Sequence, residues 1–108
     1  MLGLIIAGSA LSLSASTPIY LRCAFGPESA EVLITADEAN SAVTVAVPST
    51  GHTEKMAAAF SATDVRFQNR QLAYVVSRTD LSVARTIKLI RETDSGKCSI
   101  EQPPKRAF

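Results

Sequence analysis

The 108-residue chain has no tryptophan, one histidine and two cysteines, and its positive and negative charges nearly cancel. With aromatic residues at only 6%, it offers no stacking platform for nucleic-acid bases or sugars. Eleven basic against ten acidic residues give a net charge of +1, so no long-range field attracts nucleic acid or an anionic membrane. We therefore predict no nucleic-acid partner, while an apolar share of 46% predicts a folded chain.

Motifs for catalysis, metal binding and cofactor binding are also missing from the sequence. Two cysteines and the distant His52 do not make a zinc ligand set. There is no G-x-S-x-G elbow for a nucleophilic serine, and five dispersed glycines form no phosphate-binding loop. We predict no catalytic residue, no metal and no cofactor, and thus a protein that is not an enzyme. The alternative is a small exported hydrolase whose active site carries no known motif.

The first sixteen residues differ from the rest of the chain. Residues 2–13 carry no charge, and the small residues Ser14, Ala15 and Ser16 follow them. This pattern is typical of a secretory signal peptide, although no Lys or Arg precedes the apolar run. It predicts cleavage after Ser16 and a periplasmic or secreted protein, and the alternatives are a buried first strand or an anchor. The run is too short for a spanning helix, so the processed protein is not expected to span a membrane.

If the protein is exported, its two cysteines are expected to form a disulfide. In a small exported domain an even number of cysteines indicates a disulfide, and Cys23 with Cys98 is the only pairing available. The alternative is a pair of buried free thiols. A bond between these residues would close most of the chain into one loop and stabilise the fold by about 4–4.5 kcal/mol.

Apolar and polar side chains alternate with a period near two along residues 17–102, which predicts an antiparallel β domain. We predict an all-β meander of six or seven strands, folded as a curved sheet, a small sandwich or a half-open barrel. In 53–62, Ala and Met also allow one short helix. The acidic and glycine residues of 94–96 predict the last turn, and 103–108 is expected to be a flexible tail.

This layout resembles a group of small, uncharacterised exported proteins of proteobacteria. The features that carry the resemblance are the early Cys23, Asp37-Glu38, Phe60, Val65-Arg66-Phe67, the run from Tyr74 to Thr79, and Gly96-Lys97-Cys98. The resemblance covers most of the chain after residue 16. It implies export, a disulfide and a β fold, and it implies no activity.

Two arginines stand out because strand parity places them among apolar positions. Arg78 and Arg85 share the face of Tyr74, where a charge needs a partner. We expect Arg85 to stack on Tyr74 across a hairpin. Its carboxylate partner is expected to be Asp37 or Glu38. Arg78, Arg85 and Tyr74 are thus the candidate contacts for an anion or a partner, and the alternatives are a structural ion pair or an arginine at the sheet rim.

Residues 42–47 are uncharged and end at Pro48, as expected for a strand at a sheet edge. A bare edge invites another strand. We predict either that 49–63 covers this edge or that 42–47 serves self-association or partner binding. The function predicted is that of a non-enzymatic exported module, which binds an unknown protein or a component of the cell envelope.

Overall fold

The computed structural model describes residues 17–102, which form eight antiparallel strands closed into a barrel. The strands are β1 Ile19–Ala24, β2 Val32–Asp37, β3 Ala42–Val47, β4 His52–Phe60, β5 Asp64–Gln68, β6 Leu72–Ser77, β7 Ser82–Ile87 and β8 Glu92–Glu101. Each strand pairs with the next one in the chain, and β8 returns to pair with β1. In this range no helix is long and apolar enough to cross a membrane. The expected signal peptide and tail lie outside the described residues.

Alternation along each strand fills the barrel with apolar side chains, which confirms the all-β prediction. On β2, Val32, Ile34 and Ala36 point inward and are buried, and the residues between them are half-buried. The other buried members of the core are Leu21, Cys23, Val43, Val45, Met56, Val65, Phe67, Tyr74, Val76, Val83 and Cys98. A period of two therefore decides which face of each strand becomes core.

The predicted disulfide is confirmed and lies at the seam of the barrel. Cys23 and Cys98 are directly opposite each other where β1 pairs with β8, and their sulfur atoms are bonded. This pairing joins the first strand to the last. The half-open barrel of the prediction is therefore closed.

Residues 53–62, which the sequence leaves open between helix and strand, form most of a strand, β4, so the helix alternative is not the one observed. The helix preference of Ala and Met is overridden because Met56 and Ala58, at alternating positions, face the core. Pairing with β3 also satisfies the backbone hydrogen bonds. This strand brings the count to eight and covers Ala42–Val47 along its whole length, on the side away from β2. The covering alternative is thus the one observed. No free backbone edge remains on β3, which removes the basis for self-association through 42–47.

The predicted turn at 94–96 is wrong, because β8 runs through these residues without a break. Gly96 has a different reason to be glycine. A Cβ atom there would collide with the carbonyl group of Ala24, the last residue of β1. The chain turns earlier, at residues 88–91, and closes that turn with Arg91 at a left-handed φ of 56°.

The barrel has two ends, which we name the upper and lower mouths. The upper mouth holds the start of β1, the end of β8 and three turns, at 38–41, 61–63 and 78–81. The lower mouth holds the β1–β2 loop and three turns, at 48–51, 69–71 and 88–91. Because the strands simply run up and down, every second connection belongs to the same mouth.

Candidate functional site

A pocket with a volume of about 350 Å³ opens at the upper mouth. Buried apolar side chains form its floor, namely Leu21, Ala36, Val65 and Val76. Its walls are larger apolar side chains closer to solvent, namely Ile19, Phe60, Leu81 and Ile100. Ile19 is 46% exposed and Ile100 is 64% exposed, so the walls present apolar surface to an incoming molecule. The size lies near the lower limit for small-molecule sites, roughly 300 Å³.

Strand register places the floor and two of the walls of this pocket next to each other. Phe60 pairs with Val65, and Val65 pairs in turn with Val76, so these inward side chains form a continuous row across three strands. On the other side of the mouth, Ala36 pairs with Ile19. The methyl group of Ala36 leaves space that a larger side chain would fill. The upper end is therefore open, whereas the layers below it are packed.

Leu81 contributes a wall of the pocket from an unusual backbone conformation. Its φ is 63°, in the left-handed region that favours glycine. Two hydrogen bonds hold it there: its N–H donates to the Ser77 carbonyl at 3.2 Å, and its carbonyl accepts from the N–H of Cys98 on β8 at 2.8 Å. A bulky apolar side chain is thus kept over the mouth at a conformational cost.

An ion pair between Arg78 and Glu38 forms the polar rim of the pocket. The guanidinium donates from Nη2 to Oε1 at 2.9 Å and from Nη1 to Oε2 at 3.3 Å, a two-pronged contact between two turns. Its Nη1 also donates to the Ser61 carbonyl at 2.8 Å, which ties in the third turn. An arginine has five N–H groups. Among residues 17–102, the Nε–H and one Nη2–H of Arg78 have no acceptor.

Tyr74 and Arg85 lie directly opposite each other on β6 and β7, as the sequence predicts. The stacking partner is different, however: the Tyr74 ring stacks on Phe67, with centroids 4.9 Å apart and planes inclined by 13°. Burial raises the pKa of the Tyr74 hydroxyl, and the nearby Arg85 charge opposes that rise. Tyr74 is therefore a core residue with its polar end near the guanidinium.

The predicted acidic partner of Arg85 is also wrong. The Arg85 Nη2 donates to Asp94 Oδ2 at 3.0 Å, and the guanidinium lies 4.0 Å from the ring centroid of Phe25. Asp94 is opposite Arg85 in the register of β7 and β8, whereas Asp37 and Glu38 lie at the other mouth. Only 19% of the Arg85 side chain is exposed. This contact is the structural ion pair that the sequence left as an alternative.

The three candidate residues therefore do not form one site. Arg78 is at the upper mouth, and the other two lie in the lower half of the barrel. Sequence reasoning missed the pocket walls because Ile19, Leu81 and Ile100 look like ordinary core residues in a linear pattern. Their only signal is that each lies at the end of a strand or in a turn.

The sole histidine, His52, lies at the lower mouth. Its Nε2 is 3.4 Å from Oε1 of Glu54, and the Asn69 side-chain amide donates to the same oxygen at 2.9 Å. This contact ties the start of β4 to the turn at 69–71. In the part of the chain that the structure describes, no three His, Cys, Asp or Glu side chains are grouped to hold a metal ion.

The upper mouth thus combines an apolar cavity with fixed hydrogen-bond donors. Such an arrangement can hold a small molecule by burying its apolar surface and orienting one polar atom.

Compared with models of known protein families, with curated proteins and with solved structures, the chain matches none of them.

Proposed function

We propose that this protein is an exported, non-enzymatic binding module that holds a small, mainly apolar molecule in the upper-mouth pocket. The observation that carries the proposal is the pairing of an apolar floor with an anchored arginine at the rim. Eight-stranded barrels are just wide enough to be filled by side chains or to hold one small ligand. Here the lower part is filled and the upper end is open.

The rim chemistry favours a neutral ligand with one oxygen acceptor. Glu38 already neutralises Arg78, so a ligand anion would have to displace a carboxylate held by two hydrogen bonds. A carbonyl or hydroxyl oxygen needs only one of the unused N–H groups. Its apolar body would be buried against Phe60 and Leu81.

The compartment proposed is the periplasm or the cell exterior. A buried disulfide persists in an oxidising compartment, and the apolar segment before residue 17 fits a signal peptide cleaved after Ser16. Intact-mass measurement of the exported protein tests this part independently. A mass that includes residues 1–16 in an exported fraction contradicts the cleavage.

Titration with phenylnaphthylamine, a neutral probe that fluoresces in apolar surroundings, tests the pocket. We expect saturable binding of one probe per chain. Ala36→Leu fills the floor and is expected to weaken binding by about tenfold or more. Ala59→Leu makes the same change on the exposed face of β4 and should leave the affinity unchanged. Equal effects of the two variants, with both still folded by thermal melting, would contradict the proposal.

Competition of two compounds of similar size with the bound probe tests whether Arg78 at the rim donates a hydrogen bond to the ligand. Acetylnaphthalene carries a carbonyl oxygen and ethylnaphthalene does not, so the first should compete better. Arg78→Ala should abolish that preference, whereas Arg66→Ala, which removes an arginine paired with Asp64 on the outer surface, should retain it. If the preference survives in Arg78→Ala, the guanidinium does not contact the ligand.

A further inference from the structure

The turn between β7 and β8 exposes two large apolar side chains at the lower mouth. Leu89 is 91% exposed and Ile90 is 55% exposed. Turns usually use Gly, Asn, Asp, Pro or Ser, and residues 88–91 contain none of them. Arg91 even occupies a left-handed position, which Gly51 fills in the turn at 48–51. Turn formation alone does not account for this choice of residues.

Three cationic residues lie in this turn and in the turn beside it. Lys88 and Arg91 flank it, and Arg70 lies in the adjacent turn at 69–71. The two turns are held side by side, because the Lys88 N–H donates to the Gln71 carbonyl at 2.9 Å, and its Nζ donates to the Asn69 carbonyl at 2.8 Å. Within residues 17–102 no carboxylate forms an ion pair with any of the three cations.

The register of the barrel makes this turn project. β8 pairs with β7 from Glu92 to Lys97, but it pairs with β1 only from Lys97 onward. The β7–β8 hairpin therefore extends beyond the end of β1 by about 16 Å. β1 therefore does not cover the hairpin's turn, in which Leu89 is 91% exposed.

We infer that the tip formed by Arg70, Lys88, Leu89, Ile90 and Arg91 docks on an anionic lipid bilayer. Leu89 and Ile90 enter the headgroup region, and the three cations contact lipid phosphates. Charge complementarity selects this occupant, since unpaired cations around a small apolar patch match a surface of phosphate groups. Two apolar side chains on one turn are far less area than a stable protein interface needs, about 1,000 Å² in total.

Docking in this way leaves the proposed ligand pocket free. The tip is at the lower mouth and the pocket is at the upper mouth, so the pocket faces away from the bilayer. Failure of either proposal leaves the other standing, because the two surfaces share no residue.

Sedimentation with vesicles of phosphatidylcholine, with and without phosphatidylglycerol, tests the inference. Every variant is prepared by export with the same N-terminus, confirmed by intact mass. We expect binding that requires phosphatidylglycerol, weakens with added salt, and is lost in the Leu89→Ser/Ile90→Ser double variant. Arg91→Asn, which suits the left-handed position, should weaken binding about fivefold. Lys55→Ala removes one exposed charge from β4 and should change binding less than twofold.

Three results would overturn the inference, given variants that melt like the parent protein. The first is equal binding to vesicles without phosphatidylglycerol. The second is unchanged binding of the Leu89→Ser/Ile90→Ser variant. The third is a self-associated species in analytical ultracentrifugation that this variant abolishes, because the apolar pair would then contact a second chain.

Discussion

Reduction of the Cys23–Cys98 disulfide should remove a large part of the free energy of unfolding of this barrel. The two cysteines are 75 residues apart in the sequence, so the bond closes a loop that contains most of the chain. Releasing the unfolded chain from a loop of that length corresponds to about 4.5 kcal/mol in the chain-entropy model. Small domains are typically stable by about 5–15 kcal/mol, so the reduced protein should be only marginally folded.

The position of the bond explains why reduction is a cleaner perturbation than mutation. Cys23 is 0% exposed and Cys98 is 8% exposed, so replacing either with alanine would add a cavity to the loss of the loop. Reduction keeps both sulfur atoms in the core. It also removes no atom from β1 or β8, which pair from Tyr20 opposite Glu101 to Ala24 opposite Lys97.

The assay is urea unfolding of the oxidised and reduced protein, followed by circular dichroism because the chain lacks tryptophan. We expect the reduced form to be less stable by about 3–4.5 kcal/mol and to show a larger m-value, since its unfolded chain exposes more surface. The Cys23→Ala/Cys98→Ala variant should not respond to the reductant. A difference below about 1 kcal/mol with equal m-values would refute the loop argument.

Other changes probe single contacts. Gly96→Ala pushes a methyl group into the Ala24 carbonyl and should cost about 2 kcal/mol or more in urea unfolding; Gly51→Ala, with open space at a φ of 76°, should cost only about 1 kcal/mol. Asp94→Asn leaves the largely buried Arg85 charge unpaired and should cost about 2 kcal/mol, whereas Glu92→Gln at the exposed start of the same strand should change stability by less than about 0.5 kcal/mol. Hydrogen bonds to Asp80 Oδ1 from the Ser82 N–H at 2.9 Å and from the Ser82 hydroxyl at 2.8 Å lower the pKa of Asp80 from 3.8 to about 2. Because the folded pKa is the lower one, this carboxylate stabilises the fold above about pH 4, and its contribution disappears as the pH falls toward about 2. The melting temperatures of the parent and Asp80→Asn should therefore differ at pH 7 and converge near pH 2, and a difference that persists at pH 2 would contradict this account.

The all-β fold was predictable because each strand is buried mainly on one face. Val32, Ile34 and Ala36 show the pattern most clearly, since burial falls on every second residue. The cysteine pair was predictable because only one pairing exists. Closure of the barrel was not, since it depends on β8 reaching β1 across the full length of the chain.

Turn preferences of single residues gave a wrong prediction where a contact between distant parts of the chain determines the residue type. Gly96 looks like a turn residue, but it is glycine because the Ala24 carbonyl group leaves no space for a Cβ atom. The actual turn at 88–91 has none of the usual turn residues. Because the sequence predicts the turn at the wrong residues, it also predicts the wrong register for β7 and β8. The pairing of Asp94 with Arg85 could therefore not be predicted.

The candidate site was only partly predictable for a related reason. Arg78 draws attention because an arginine near apolar positions needs a partner, and it does have one in Glu38. The pocket walls, however, come from the first strand, a turn and the last strand. Ile19 and Ile100 become neighbours of Leu81 only when the barrel closes, so no local pattern marks them as a group.

Left-handed turn residues give the two proposed surfaces a common physical feature. Four turns of the barrel end in a residue with positive φ, namely Ser41, Gly51, Leu81 and Arg91. Gly51 adopts this conformation without strain, whereas a bulky side chain costs about 1 kcal/mol or more. The chain accepts that cost at Leu81, which lines the pocket, and at Arg91, which lies in the cationic tip. At Leu81, packing against the core offsets part of that cost. Arg91 is exposed, so no core packing offsets the cost there, and the proposed contact with lipid phosphates accounts for keeping an arginine at this position.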